Sequence, residues 1–153
     1  NNTVRFGSST GSVYIGLDNS TVTWVKSSDE RLKENIETST AGLSFINDLR
    51  TVTFDWKKKR DIPEDMKWNY PAAADDSPCV GNGKKVHGFI AQEVEAVIAN
   101  HPEVVEGNSI TDIDAQGVHG VGVGAMRPMM IKAMQELSTK LDAALARIEE
   151  LEG

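Results

Sequence analysis

The stretch MMIKAMQELSTKLDAALARIEEL, Met129–Leu151, decides the architecture of this chain. Within it Met130, Met134, Leu137, Leu141, Ala144, Ile148 and Leu151 are spaced alternately four and three residues apart. That is an uninterrupted heptad, with two apolar positions in every seven. A helix that only packs on its own globule shows a wider apolar stripe, whereas this narrow one, flanked by Glu, Lys and Arg, is the seam of a coiled coil. The spacing therefore predicts a C-terminal helix from Met126 that associates with copies of itself.

Composition agrees with a chain that shares its burial. At 153 residues there is room for one modest core with extensions. Hydrophobic residues make up 39% and aromatics only 6%, which is thin for a monomer, so partner chains are expected to supply part of the core. Against 23 Asp and Glu stand 16 Lys and Arg, a net charge of −7 that repels phosphate backbones and anionic lipid. Neither nucleic acid nor a membrane surface is an expected partner. No apolar run approaches the length of a membrane span, and no basic, apolar leader is present.

The N-terminal segment alternates. Val4 and Phe6, then Val13, Ile15 and Leu17, then Val22 and Trp24 lie two apart, separated by the turn clusters 7–11 and 18–20. Three such strands cannot stand alone in water and must be covered by another part of the protein or by copies of themselves. Ser27 to Glu30 fits a Ser-x-x-Glu capping box and announces a switch to helix. Leu43, Ile46 and Leu49 continue at helical spacing between Ala41 and Arg50, and Val52, Phe54 and Trp56 alternate as a strand.

Residues Lys57 to Gly83 are rich in Lys, Asp, Pro and Gly and are too long for an ordinary connection. They read as an arm that leaves the globule and contacts residues 1–26 of its own or a neighbouring chain, with Trp68 and Tyr70 as aromatic anchors. Val86–Ile90 reads as a strand and Ala91–Ala99 as a helix that stops at Asn100-His101-Pro102. Val104-Val105, Ile110 and Ile113 suggest short strands. The glycine-rich run 117–124 has no Gly-Lys-Ser/Thr after it, so it reads as a flexible or closely packed connection rather than a nucleotide loop.

Few residues are available for chemistry. Cys79 is the single cysteine, which excludes an intrachain disulfide framework, and His87, His101 and His119 lack metal spacing. No cofactor or metal is expected. Gly-x-Ser-x-Gly and His-Glu-x-x-His are absent, which argues against an enzyme acting on a diffusible substrate. There remain Ser28 and Lys33, with Arg31 between them.

A lysine serves as base to a serine only when desolvation or a nearby cation lowers its pKa, and Arg31 or burial in an oligomer is a candidate cause. Residues five apart on a regular helix point about 140° away from each other. Ser28 and Lys33 can therefore meet only if Ser28 precedes the helix or if the lysine comes from a neighbouring chain. On spacing alone, a helix cap followed by a solvated charged turn accounts for the same residues.

The wider words add to this. Ser27-Ser28-Asp29-Glu30-Arg31-Leu32-Lys33-Glu34-Asn35-Ile36, then His87-Gly88-Phe89-Ile90-Ala91-Gln92-Glu93-Val94-Glu95, then Ile131-Lys132-Ala133-Met134-Gln135-Glu136-Leu137 follow one another along the chain. Together they resemble the C-terminal intramolecular chaperone domain of phage tailspikes and tail fibres, of the endosialidase type, from Ser27 to the C-terminus.

The resemblance implies a homotrimeric α+β domain with a protruding arm and a C-terminal coiled coil over residues 126–153. This domain, residues 29–153, would follow the end of a triple β-helix-like stalk, residues 1–28, which is its folding client. It implies self-cleavage with Ser28 as nucleophile and Lys33 as base, and a cut at the Ser28-Asp29 bond. The hydroxyl reaches the preceding carbonyl more easily, through a five-membered ring, which would cut Ser27-Ser28 instead. His87, Gln92 and Glu93 either tune the dyad or pack, and packing is the preferred reading.

The resemblance further implies a virion tailspike or tail-fibre precursor made in the host cytoplasm, with the chaperone part released after assembly. Two other readings remain. One is a non-proteolytic trimeric fibre tip that binds a host receptor, and the other is a self-cleaving segment of a eukaryotic transcription factor.

Overall fold

The computed structural model describes residues 3–8, 11–17, 22–67 and 76–152, with the main chain alone up to residue 26. Two compact units, Asn1–Thr38 and Ser39–Gly153, divide the chain.

In the first unit, β1 (Thr3–Ser8), β2 (Gly11–Leu17) and β3 (Val22–Lys26) form an antiparallel meander in the order β1-β2-β3. The strands fall on the alternating segments of the sequence. Their register places Val4, Ile15 and Trp24 in one row, as period-two patterning requires when one face of a sheet is to be covered.

After β3 the chain does not enter a regular helix. Only a 3₁₀ turn forms, Glu30–Leu32, and its cap is Asp29, whose side chain accepts from the Arg31 N–H, rather than a Ser27–Glu30 capping box. The reason is burial. Leu32 and Ile36 are 75% and 65% exposed, so no apolar face rewards helix propagation, and a short helix in water without packing is marginal. The chain is extended at Lys33 and bends at Asn35, whose φ of 52° suits a residue that tolerates left-handed backbone.

The second unit is α+β with small antiparallel sheets. It comprises α1 (Leu43–Asp48), β4 (Val52–Phe54), β5 (Val86–Gly88), α2 (Ala91–Ala99), β6 (Thr111–Ile113), β7 (His119–Val121) and α3 (Arg127–Glu152). β4 pairs with β5 and β6 with β7. Ala41, Phe45, Val94, Val104, Ile110 and Met126 form the core, with Phe45 and Ile110 fully enclosed. Phe45, rather than the flanking Leu43, Ile46 and Leu49, is the residue that α1 buries most deeply.

Close approach of α1 and α3 requires Gly42. A Cβ there would lie 2.8 Å from both Glu136 carboxylate oxygens and from Lys132 Cγ. Glu136 Oε2 accepts from the Leu43 N–H at 2.9 Å, so α3 caps the N-terminus of α1.

The long helix carries two stripes. Ala133 is buried and Met129 packs on the core, while Met130, Met134, Leu137, Leu141, Ile148 and Leu151 are exposed. Pro128 occupies the first turn, where its missing N–H costs nothing.

The glycine-rich run contributes β7 and is closely packed at Gly122, while Gly117 and Gly124 face open space. The Gly122 N–H donates to the Ile110 carbonyl at 2.7 Å, and a Cβ on Gly122 would sit 2.6 Å from the Ser109 oxygen. Val104-Val105 forms no strand. Val104 is a core residue, and the chain then turns through 3₁₀ residues Glu106–Asn108.

Between β4 and β5 the excursion begins as a continuation of the ribbon. The Cys79 N–H donates to Lys57 O at 2.8 Å and the Lys59 N–H to Ser77 O at 2.9 Å. Turns follow at Lys59–Asp61 and Glu64–Met66. Trp68 and Tyr70, the expected anchors, lie outside the described residues. No helix among the described residues is long and apolar enough to cross a membrane.

Candidate functional site

The turn after β3 brings Ser28 and Lys33 together. Main-chain bonds from Leu32 N–H to Asp29 O, 3.1 Å, and from Lys33 N–H to Glu30 O, 2.9 Å, reverse the chain. Lys33 Nζ donates to Ser28 Oγ at 2.7 Å, across five residues of sequence. Ser28 precedes the cap rather than lying within the helical turn, which is the one intrachain arrangement that lets the two side chains meet. The distance is within the reach expected of a nucleophile and its base.

Arg31 is engaged elsewhere. Its Nε and Nη2 donate to the two oxygens of Asp29, at 2.9 and 2.7 Å. That side-chain fork, more than the main-chain bond from Arg31, holds the Asp29 carboxyl below its usual range, and Asp29 raises Arg31 in turn. The guanidinium charge is thus matched by the Asp29 carboxylate.

All residues from 27 to 40 are exposed in the single chain. A hydroxyl and an amine in that setting have the geometry of a dyad without a water-excluding environment, and desolvation is what turns a lysine into a base.

The second motif is chiefly a packing device. Ala91 and Val94 are buried, Phe89 packs against the core, and a Cβ on Gly88 would press to 3.1 Å from the Phe54 ring. Glu93 takes a two-pronged bond from Arg50, with Nε to Oε2 at 2.9 Å and Nη2 to Oε1 at 2.5 Å, tying α2 to the end of α1. This fork lowers the Glu93 pKa. His87 and Gln92 are exposed, so the packing expected of them does not occur within the single chain.

Sequence reasoning missed the most enclosed charged or polar side chain among the described residues. His101 is 6% exposed, with Nδ1 2.6 Å from Glu103 Oε1 and Nε2 2.8 Å from Asp48 Oδ2. Its position beside Pro102 marked it only as part of a helix stop. The nearby acids Asp48 and Glu103 are ordinary in sequence, and only folding aligns them. Cys79 is half-buried, and no group of metal-ligating side chains occurs among the described residues.

Fold and geometry together define a small α+β domain preceded by a β-stranded unit whose last turn presents a serine–lysine pair. The chain belongs to the chaperone of endosialidase family, Peptidase_S74, whose model matches residues 28–105. The match begins at Ser28 and takes in the first two motifs, β4, β5 and α2. No curated protein and no solved structure matches this chain.

Proposed function

We propose that this protein is an intramolecular chaperone that trimerises, assists folding of a phage tailspike or tail-fibre stalk ending near residue 28, and releases itself by serine–lysine self-cleavage. The observation that carries the reading is the 2.7 Å contact between Lys33 Nζ and Ser28 Oγ at the first residues of the family match. The exposed heptad stripe of α3 supports assembly, because six large apolar side chains are left for a partner to cover. Residues 1–28 are the client, residues 29–153 the chaperone, and the Lys57–Gly83 excursion its arm toward the client strands. The precursor is made in the host cytoplasm and the chaperone part leaves after assembly.

In the reaction, the serine oxygen bonds to the carbonyl carbon of the scissile peptide while its proton passes to the neutral Lys33 amine. The carbon–nitrogen bond breaks and that proton moves to the departing amine. One water then hydrolyses the ester, restoring the hydroxyl and leaving a carboxylic acid. The assigned bond is Ser28-Asp29. Within one chain the Ser28 oxygen would reach its own carbonyl only through a four-membered ring, so this cut calls on the serine of a neighbouring chain. A cut at Ser27-Ser28 would need no neighbour.

Assembly gates the chemistry on this reading. The pair stands in water in the single chain, and a trimer is what encloses it, so folding precedes cutting.

Denaturing electrophoresis with intact mass of the purified wild-type chain tests the proposal. Two fragments, the second beginning at Asp29, are expected. A second fragment beginning at Ser28 would move the bond, and a single uncut chain would leave a structural fibre tip that binds a receptor.

A further inference from the structure

We propose that Asp29 is the positioning residue of the self-cleaving site, acting through the turn it caps, with Arg31 holding its carboxylate in place. This rests on Ser28 and Lys33 being the cleaving pair.

Residues 28 and 33 belong to a segment with no buried side chain, so packing does not hold them together. In an extended chain five residues span about 17 Å. The side chains touch only because the 3₁₀ turn closes, and Asp29 sits at its hinge with two of its groups. Its carbonyl accepts from the Leu32 N–H, and its carboxylate oxygen Oδ1 accepts from the Arg31 N–H at 3.0 Å. That second bond satisfies a main-chain donor that the turn leaves free.

The Arg31 guanidinium grips both carboxylate oxygens and so orients Oδ1 toward the main chain. An exposed turn of this kind exchanges with open chain, and the observed cleavage rate is the intrinsic rate multiplied by the closed fraction. Whatever closes the turn therefore sets the rate, and the Asp29 side chain does so apart from the Asp29 nitrogen, which is the leaving amine of the assigned bond.

The test follows cleavage of the full-length chain against pH. Asp29→Ala should lower the plateau rate roughly fivefold to tenfold, the usual worth of a lost cap, and leave the pH midpoint in place. Asp29→Asn keeps an oxygen acceptor and a similar leaving amine, and should recover most of the rate. Arg31→Ala should fall between the two, and sedimentation should show all three assembled as the wild type is.

A shifted pH midpoint in Asp29→Ala would mean that the carboxylate acts on the lysine charge, and would overturn the positioning role. So would wild-type rates in Asp29→Ala. Failure of the underlying reading looks different, because Lys33→Arg would then be cut as the wild type is.

Discussion

Ser28 and Lys33 meet at 2.7 Å on an exposed turn, five residues apart, whereas His101 is enclosed between carboxylates that come from two parts of the chain. Both ring nitrogens of His101 lie within hydrogen-bond distance of carboxylate oxygens, an arrangement that favours the protonated ring. The Phe45 ring packs edge-on against it, centroids 5.5 Å apart. Glu103 is the largest cause of its raised pKa, Asp48 the next, and burial opposes them.

The buried His101 ring finds both its partners within one chain, a half-buried Glu103 and an exposed Asp48. It serves stability. The exposed pair has the right distance in an open setting, and on the proposed function it is assembly that would enclose it. The contrast is between a cluster whose partners are all in place and a pair that, if the proposed function holds, needs another chain to enclose it.

The sharpest way to break this contrast is at the pair itself. Ser28→Ala removes the nucleophile, and Lys33→Arg keeps a cation that cannot deprotonate, so each should abolish self-cleavage while the melting temperature stays where it was. Intact mass after purification reads the outcome. If Lys33→Arg is processed at the normal rate, Lys33 is a solvated turn residue and the contrast dissolves.

Leu141→Asp attacks the surroundings instead. The side chain is 59% exposed in the single chain, so the globule should fold, but a carboxylate placed in the seam should cost assembly on the order of several kcal/mol per trimer. Sedimentation should show monomers, and cleavage should slow with the lost assembly. A wild-type chain that sediments as a stable monomer would remove the seam altogether.

On the buried side, Phe45→Ala should destabilise the second unit by about 3–5 kcal/mol, through lost burial and the cavity beside His101. Urea unfolding in a Ser28→Ala background measures this without interference from cutting. A loss below about 1 kcal/mol would show that the core closes over the gap.

The smallest expected effect is in pH dependence. Because the folded pKa of His101 is raised, its contribution is fully present below the ordinary histidine value and is lost as pH rises through the folded value. Glu103 and Glu93 are depressed, so their contributions are present above the ordinary carboxylate range and are lost as pH falls through their folded values. Stability should therefore peak in the mildly acidic window between. His101→Gln should flatten the alkaline limb and leave the Glu93 part of the acid limb. An unchanged alkaline limb would show that His101 is not held as a cation.

How legible all this was depends on how far apart the partners lie. The bounds of α2, Ala91–Ala99, the strands at Val52–Phe54 and Val86–Gly88, and the long final helix were readable, because each follows from the period of neighbouring residues. Ser28 and Lys33 were readable as a pair only through the resemblance of the words around them, since spacing alone fits a cap and a solvated turn as well. The sequence alone thus determined these periodic elements and the heptad, but not the 3₁₀ turn that stands where a helix was expected.

Only the tertiary structure decided that Phe45 leads the core, that Glu136 caps α1 from α3, and that His101 is clamped by Asp48 and Glu103. Glu136 and Leu43 are 93 residues apart, and Asp48 and His101 are 53 apart. No periodicity reaches across such distances. Those contacts exist because burying the apolar faces brings the segments together, and the polar groups carried along must then find partners where they land.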